Sequence, residues 1–279
     1  MLKSPFVLIL ISFMAIGCQQ KPTMGVTESG VLVQEIDYRK IIAPGSVIFD
    51  TRSPFEFNAS KIPGSINLPL ADFQVSKGQN FENIFDAARR LSLYGVNSQT
   101  PVVITGSGHG DEAKLAWEFI KLGVLQVETL KISVFRQLNL QVEPPQKNVP
   151  LWKPSQNFSE LSRAEFKKKL ESLRPQLSGH AQTKAFQGFP VAEALRTRVL
   201  VVVAAGASFK DVKEFPYVNT TNFEITNLFD DKGLLLRAAE FKPSLKAFDV
   251  VFLLDPSGLK EARAYALTQW GAKSLYLVK

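Results

Sequence analysis

The 279-residue chain holds one cysteine, Cys18, and two histidines, His109 and His180, so thiol and imidazole chemistry have few places to occur. A lone cysteine excludes an intramolecular disulfide and any cysteine-based metal site. Two histidines in separate regions exclude a His-rich metal site as well, and no cofactor is expected. One stretch does combine small residues with a nucleophile: Thr105-Gly106-Ser107-Gly108-His109-Gly110. Ser107 and His109 are the residue types of a nucleophile and its base. Two residues apart in a glycine-rich loop, however, one does not aim at the other, and Thr105 breaks the Gly-x-Ser-x-Gly elbow. Gly106, Gly108 and Gly110 could turn N–H groups toward an anion. Against that, Asp111 and Glu112 already place two carboxylates at the start of the helix that follows. A second small loop, Asp255-Pro256-Ser257-Gly258, reads as a helix cap and first turn. A third polar group is Asp50 and Arg52, with Glu56 four residues beyond Arg52 and able to pair with it across a turn.

The elements that must position these residues alternate in type. Val47-Ile48-Phe49 reads as a buried strand ending at Asp50, with Ser53 capping a helix that has Pro54 at its first position. Ile62-Pro63-Gly64 makes a tight turn before Ile66-Asn67-Leu68-Pro69. A helix over Ala87–Leu93, a strand at Val102–Ile104, a helix from Asp111 to Leu122 and a strand near Val127–Leu130 follow. Residues 141–157, with four prolines and no apolar periodicity, mark a linker. Beyond it, Ser162 and Glu165 form a capping box ahead of Phe166, Leu170 and Leu173, and residues 174–190 read as an inserted loop. Val199–Val203, Val250–Leu254 and Leu275–Val278 are strands, the last two flanking a helix that reaches Trp270. Strands and helices alternating at this spacing imply parallel sheets covered on both faces. The second half repeats the first: VVITGSGHGDEAKLAWEFIKLG and VVFLLDPSGLKEARAYALTQWG share strand, small loop, helix and closing glycine.

The stretch VIFDTRSPFEFNASKIPGSINLP resembles the signature of the rhodanese (thiosulfate/mercaptopyruvate sulfurtransferase) superfamily: strand-Asp-x-Arg, Glu-Phe, then Ile-Pro-Gly-Ala-Ile-Asn-hydrophobic-Pro. The resemblance implies an α/β chain of two tandem rhodanese-like domains, each a parallel sheet with helices on both faces. It makes Asp50, Arg52, Glu56, Pro63 and Gly64 architectural. The second half resembles the family only in topology, since Ala204-Ala205-Gly206 stands in place of Asp-x-Arg. Active members carry a cysteine in the loop after the fourth strand, where backbone N–H groups and a helix start favour thiolate and persulfide. Counting back from Gly123 puts that position near Gly106, and from Gly271 at Leu254 or Asp255; neither is cysteine. Gly106, Ser107, Gly108, His109, Gly110, Asp255, Ser257 and Gly258 are therefore degenerate positions of the catalytic loops, and no catalytic residue is expected.

The N-terminus sets the expected location. Lys3, the apolar run Phe6–Ile16 and Ala15-Ile16-Gly17-Cys18 resemble a signal peptide ending in a bacterial lipobox, in which Cys18 carries the lipid. An ordinary signal peptide cut at small residues is the alternative. The expected organisation is a signal peptide at 1–17, a tether at 18–30, domains at 31–140 and 158–279, and the linker 141–157 between them. With Gln19 after the cysteine, the expected site is the bacterial cell envelope, on the periplasmic face of the outer membrane. Expected partners are membrane lipid through Cys18 and an envelope protein or small ligand. The net charge of +7 is spread out, and Lys167-Lys168-Lys169 lies within an amphipathic helix, so nucleic acid is not expected. Two functions follow: a non-catalytic binding or interaction module, and a sulfurtransferase that borrows its thiol from elsewhere.

Overall fold

The computed structural model describes residues 42–73, 84–108, 110–138, 144, 149–154, 157–173, 197–207, 215, 218–236, 241 and 243–279, with the backbone of 24–26 and 32–34. Contacts divide the chain into two compact units, residues 1–38 and 39–279. In the first, β1 (Met24–Val26) and β2 (Leu32–Gln34) pair antiparallel. Part of the stretch read as tether is therefore strand. The loop expected at 174–190 falls on residues outside the description.

The larger unit is built on two parallel sheets. The first contains β3 (Val47–Asp50), β4 (Ile66–Asn67), β5 (Val102–Gly106) and β6 (Val127–Lys131) in the order β4-β3-β5-β6. Its helices are α1 (Pro54–Ala59), α2 (Leu70–Phe73), α3 (Ile84–Leu93), α4 (Asp111–Lys121) and α5 (Ile132–Leu138). The second sheet contains β7 (Phe158–Leu161), β8 (Val199–Ala204), β9 (Val218–Phe223), β10 (Val250–Leu254) and β11 (Leu275–Val278), ordered β7-β11-β10-β8-β9. Its helices are α6 (Arg163–Ser172) and α7 (Lys260–Gln269).

Apolar side chains on both faces explain why β3, β5, β8 and β10 are central and parallel. Along β8, Leu200, Val202 and Ala204 enter one core, while Val199, Val201 and Val203 enter another with Phe166 and Leu170 of α6. The first of these cores is continuous between the halves: it joins Leu115, Phe119 and Ile120 of α4 to Ala264, Tyr265 and Leu267 of α7. The Tyr265 hydroxyl donates to the Val127 carbonyl at 3.1 Å, and burial pushes its phenol far above the ordinary range, so it stays a donor. Trp152, within the proline-rich linker, donates its indole N–H to the Leu122 carbonyl at 2.7 Å. The edge strand β6 is covered by a turn from the second half, with Lys131 N–H donating to the Lys232 carbonyl at 2.8 Å. The Thr129 hydroxyl donates to the Gly233 carbonyl at 2.7 Å beside it.

Candidate functional site

Parallel strands bring the turns after β3 and β5 to one end of the first sheet. Asp50 pairs with Thr105 in register, and Thr51 N–H donates to the Thr105 carbonyl at 2.9 Å. Arg52 turns back on Asp50, 2.7 Å from Nη2 to Oδ2, with both side chains almost wholly buried. The same guanidinium donates to the Ser60 hydroxyl and carbonyl at 3.1 and 3.0 Å, tying the strand end to the far end of α1. Glu56 closes a capping box with Ser53 at the start of α1: its carboxylate accepts the Ser53 N–H at 3.1 Å and the Ser53 hydroxyl at 2.7 Å. Pro63 and Gly64 occupy the centre of a turn closed by Ser65 N–H to the Ile62 carbonyl at 3.1 Å. Gly64 lies at φ +81°, the conformation a type II turn requires after proline.

The loop after β5 runs from buried Gly106 through exposed Ser107 and Gly108 to Gly110; His109 lies outside the described residues. Gly108 and Gly110 adopt φ +84° and +87°. The Gly108 N–H donates to Glu112 Oε1 at 2.7 Å, so a carboxylate from the first turn of α4 folds back into the loop. Over Gly108 lies the stem of Lys131, whose Cε is 3.0 Å from where a Cβ would be.

The corresponding loop of the second sheet begins one residue beyond the Val203–Leu254 pair, at Asp255, as Gly106 lies one beyond the Asp50–Thr105 pair. Asp255 is 3 % exposed. Its Oδ1 accepts the Ser257 N–H at 2.8 Å, and its Oδ2 is 2.7 Å from Arg263 Nη1. Arg263 also donates to the Ser257 hydroxyl at 3.2 Å and lies over the Phe223 ring at 5.3 Å. The reading of Asp255 as a helix cap is corrected: α7 begins only at Lys260, and its cap position is Leu259. The Asp255 carboxylate is already engaged by the Ser257 N–H and by Arg263, leaving it no role at the helix start. Gly258 and Ser257 complete a loop with room at Gly258, where nothing lies within 4 Å of a Cβ position.

Sequence reasoning placed carboxylates at both loops but missed the inward turn of Glu112 and missed Arg263 altogether. A signal existed for each: Glu112 stands four residues after Gly108, and Arg263 eight after Asp255, on the inner face of a helix. A further buried charge group joins the halves. Lys121 of α4 lies 2.9 Å from Glu118 and 2.8 Å from Glu160 of β7, and Lys279 also pairs with Glu160. Burial pushes the Glu160 carboxyl up, but Lys121 and Lys279 outweigh it and hold the group down to about 2. For Glu118, burial outweighs Lys121 and raises the carboxyl. Among the described residues, no group of three or more His, Cys, Asp or Glu is placed to hold a metal ion.

Comparison with known proteins gives the frame for this geometry. Residues 35–134 match the family model described as a rhodanese-like domain. No curated protein matches the chain. Among solved structures, YnjE superposes with a TM-score of 0.50 at 13 % identity, over 88 % of this chain and 61 % of that one. Wild-type EanB superposes with a TM-score of 0.51 at 15 % identity, over 90 % of this chain and 62 % of that one. This chain thus spans about three fifths of the length of those structures, and at such identities the likeness is one of fold. Residues 35–134 thus match a rhodanese-like domain, and the chain as a whole shares the fold of those structures, with two parallel α/β halves in tandem.

Proposed function

We propose that this is a lipid-anchored rhodanese-homology protein of the bacterial cell envelope that transfers no sulfur and serves as a binding or interaction module. One observation carries the reading: the residues that open the two loops are Gly106 and Asp255, and residues 19–279 contain no cysteine. Sulfur relay needs a thiolate, because only sulfur combines the nucleophilicity with a reversible S–S bond. A solved form of EanB carries a cysteine persulfide together with ergothioneine. No residue of this chain beyond Cys18 offers the atom on which such a group forms. Buried carboxylates at both loops add to this, since a negative group nearby raises the cost of a thiolate.

The location rests on Cys18 and the apolar segment before it. Two or more acyl chains on Cys18 give stable membrane attachment, where one alone is marginal. The described residues include no helix long and apolar enough to cross a membrane. Mass spectrometry of the native N-terminus is expected to find acylated Cys18 as the first residue; an unmodified cysteine or another cleavage point contradicts the anchor. Activity is tested by cyanide-dependent thiocyanate formation from thiosulfate and from 3-mercaptopyruvate, using the purified full chain. No turnover above a buffer blank is expected. Turnover in a preparation free of contaminating rhodanese would instead establish the sulfurtransferase. Capture of the intact lipoprotein from its own envelope then identifies what it binds.

A further inference from the structure

Position 106 is buried at the end of β5 and carries no side chain. A Cβ there would overlap the Thr51 hydroxyl and lie 2.5 Å from Oε1 and 3.0 Å from Cδ of Glu112. The volume that glycine leaves is thus already occupied. Two groups share it: the Thr51 hydroxyl, which comes nearest, and the carboxylate of Glu112, a residue only 7 % exposed. A carboxylate so placed needs a strong donor, and here the Gly108 N–H supplies one at 2.7 Å, beside the N-terminus of α4. Gly108 reaches this geometry at φ +84°, which favours glycine, so the loop backbone and the carboxylate fit each other.

We propose that Glu112 is an internal latch: its carboxylate fills the space that Gly106 leaves and holds the Gly108 N–H, so that Gly106 and Glu112 act as one coupled pair that closes the loop from within. Any side chain at 106 must evict the Glu112 carboxylate and turn the Thr51 hydroxyl aside. The Gly108 N–H, turned inward onto Glu112, is withheld from any ligand arriving from solvent. Glu112 is a positioning residue in this arrangement, acting through the backbone of Gly108. The inference goes beyond the proposed function and does not depend on it, because a latched loop is compatible with either outcome of the activity assay.

The test is amide hydrogen exchange at Gly108 together with thermal melting, on the full chain and its Glu112→Ala, Glu112→Gln, Gly106→Ala and Gly106→Ala/Glu112→Ala variants. Glu112→Ala is expected to speed Gly108 exchange by about ten-fold or more, as a lost charge-assisted hydrogen bond allows. Glu112→Gln keeps an oxygen acceptor and is expected to retain most of the protection. Gly106→Ala should lower the Tm clearly in the native background and half as much or less when Glu112 is already alanine. The remaining penalty is then the overlap with Thr51. Equal penalties in both backgrounds, or unchanged Gly108 exchange in Glu112→Ala, would overturn the latch. Should Gly106→Ala fail to fold, the exchange rates of the two Glu112 variants decide alone.

Discussion

The two loops at the ends of β5 and β10 sit at the same register and solve the same problem in opposite ways. In the first half the strand ends in glycine, and the carboxylate comes from the next helix, as Glu112. In the second the strand ends in the carboxylate itself, Asp255, and the next helix supplies the cation, Arg263. The first arrangement balances its charge with a backbone N–H and a helix start. The second uses a guanidinium held over Phe223. A defect therefore has different consequences in each: removing Glu112 frees an N–H that water can reach, whereas removing Arg263 strands a charge in the interior.

That contrast orders the expected effects. Arg263→Met leaves Asp255 buried and unpaired, and should cost about 3–5 kcal/mol in denaturant unfolding. Asp255→Leu/Arg263→Met should recover most of that loss, since an apolar pair of similar volume needs no counter-charge. Arg52→Ala provides the matching measurement in the first half, where Asp50 is equally buried. Its cost should be of the same order; a negligible change would show that water reaches this pair, as it does at surface ion pairs.

The charge group between the halves comes next. Glu160 is held down to about 2, from an ordinary value of 4.5, so its contribution is present above about 4.5 and is lost as the pH falls through about 2. Glu160→Gln should lower the Tm at neutral pH, with a deficit of about 2 kcal/mol that closes toward pH 2. Glu118 is raised, so its contribution has the opposite sign: present below 4.5 and lost as the pH rises through its folded value. Melting curves of Glu118→Gln and Glu160→Gln between pH 2 and 7, should therefore diverge from the native chain in opposite directions. Parallel curves would contradict this assignment.

Smaller still is Glu112→Ala, expected to cost about 1 kcal/mol, because Gly108 lies on an exposed loop and water can take the place of the lost carboxylate. A cost equal to that of Arg263→Met would erase the contrast between the loops. Smallest is Lys114→Ala, which breaks a half-exposed pair with Asp111 at 3.5 Å and should change stability by at most about 0.5 kcal/mol.

What could be read from the sequence divides along physical lines. Local signals carried far: Ser53 and Ser162 cap their helices, Pro63-Gly64 makes its turn, and the apolar runs at 199–203 and 250–254 are central strands. Strands that depend on tertiary context were invisible. Val218–Phe223 is polar and half exposed, and it is a strand because β8 beside it supplies the hydrogen bonds. Phe158–Leu161 likewise exists through β11. At the loops, residue types were legible and directions were not. Glu112 was visible as a carboxylate near glycines, but its return to Gly108 depends on the empty Cβ position at 106. Arg263 looked like any surface arginine in a helix until the packing of α7 turned it toward Asp255.

The most direct test of the central claim, that neither loop can carry sulfur, is intact-protein mass spectrometry of the purified full chain after incubation with thiosulfate and, separately, with 3-mercaptopyruvate. No added sulfur atom is expected on the protein in either case. A stoichiometric persulfide mass, lost again on treatment with cyanide, would contradict it.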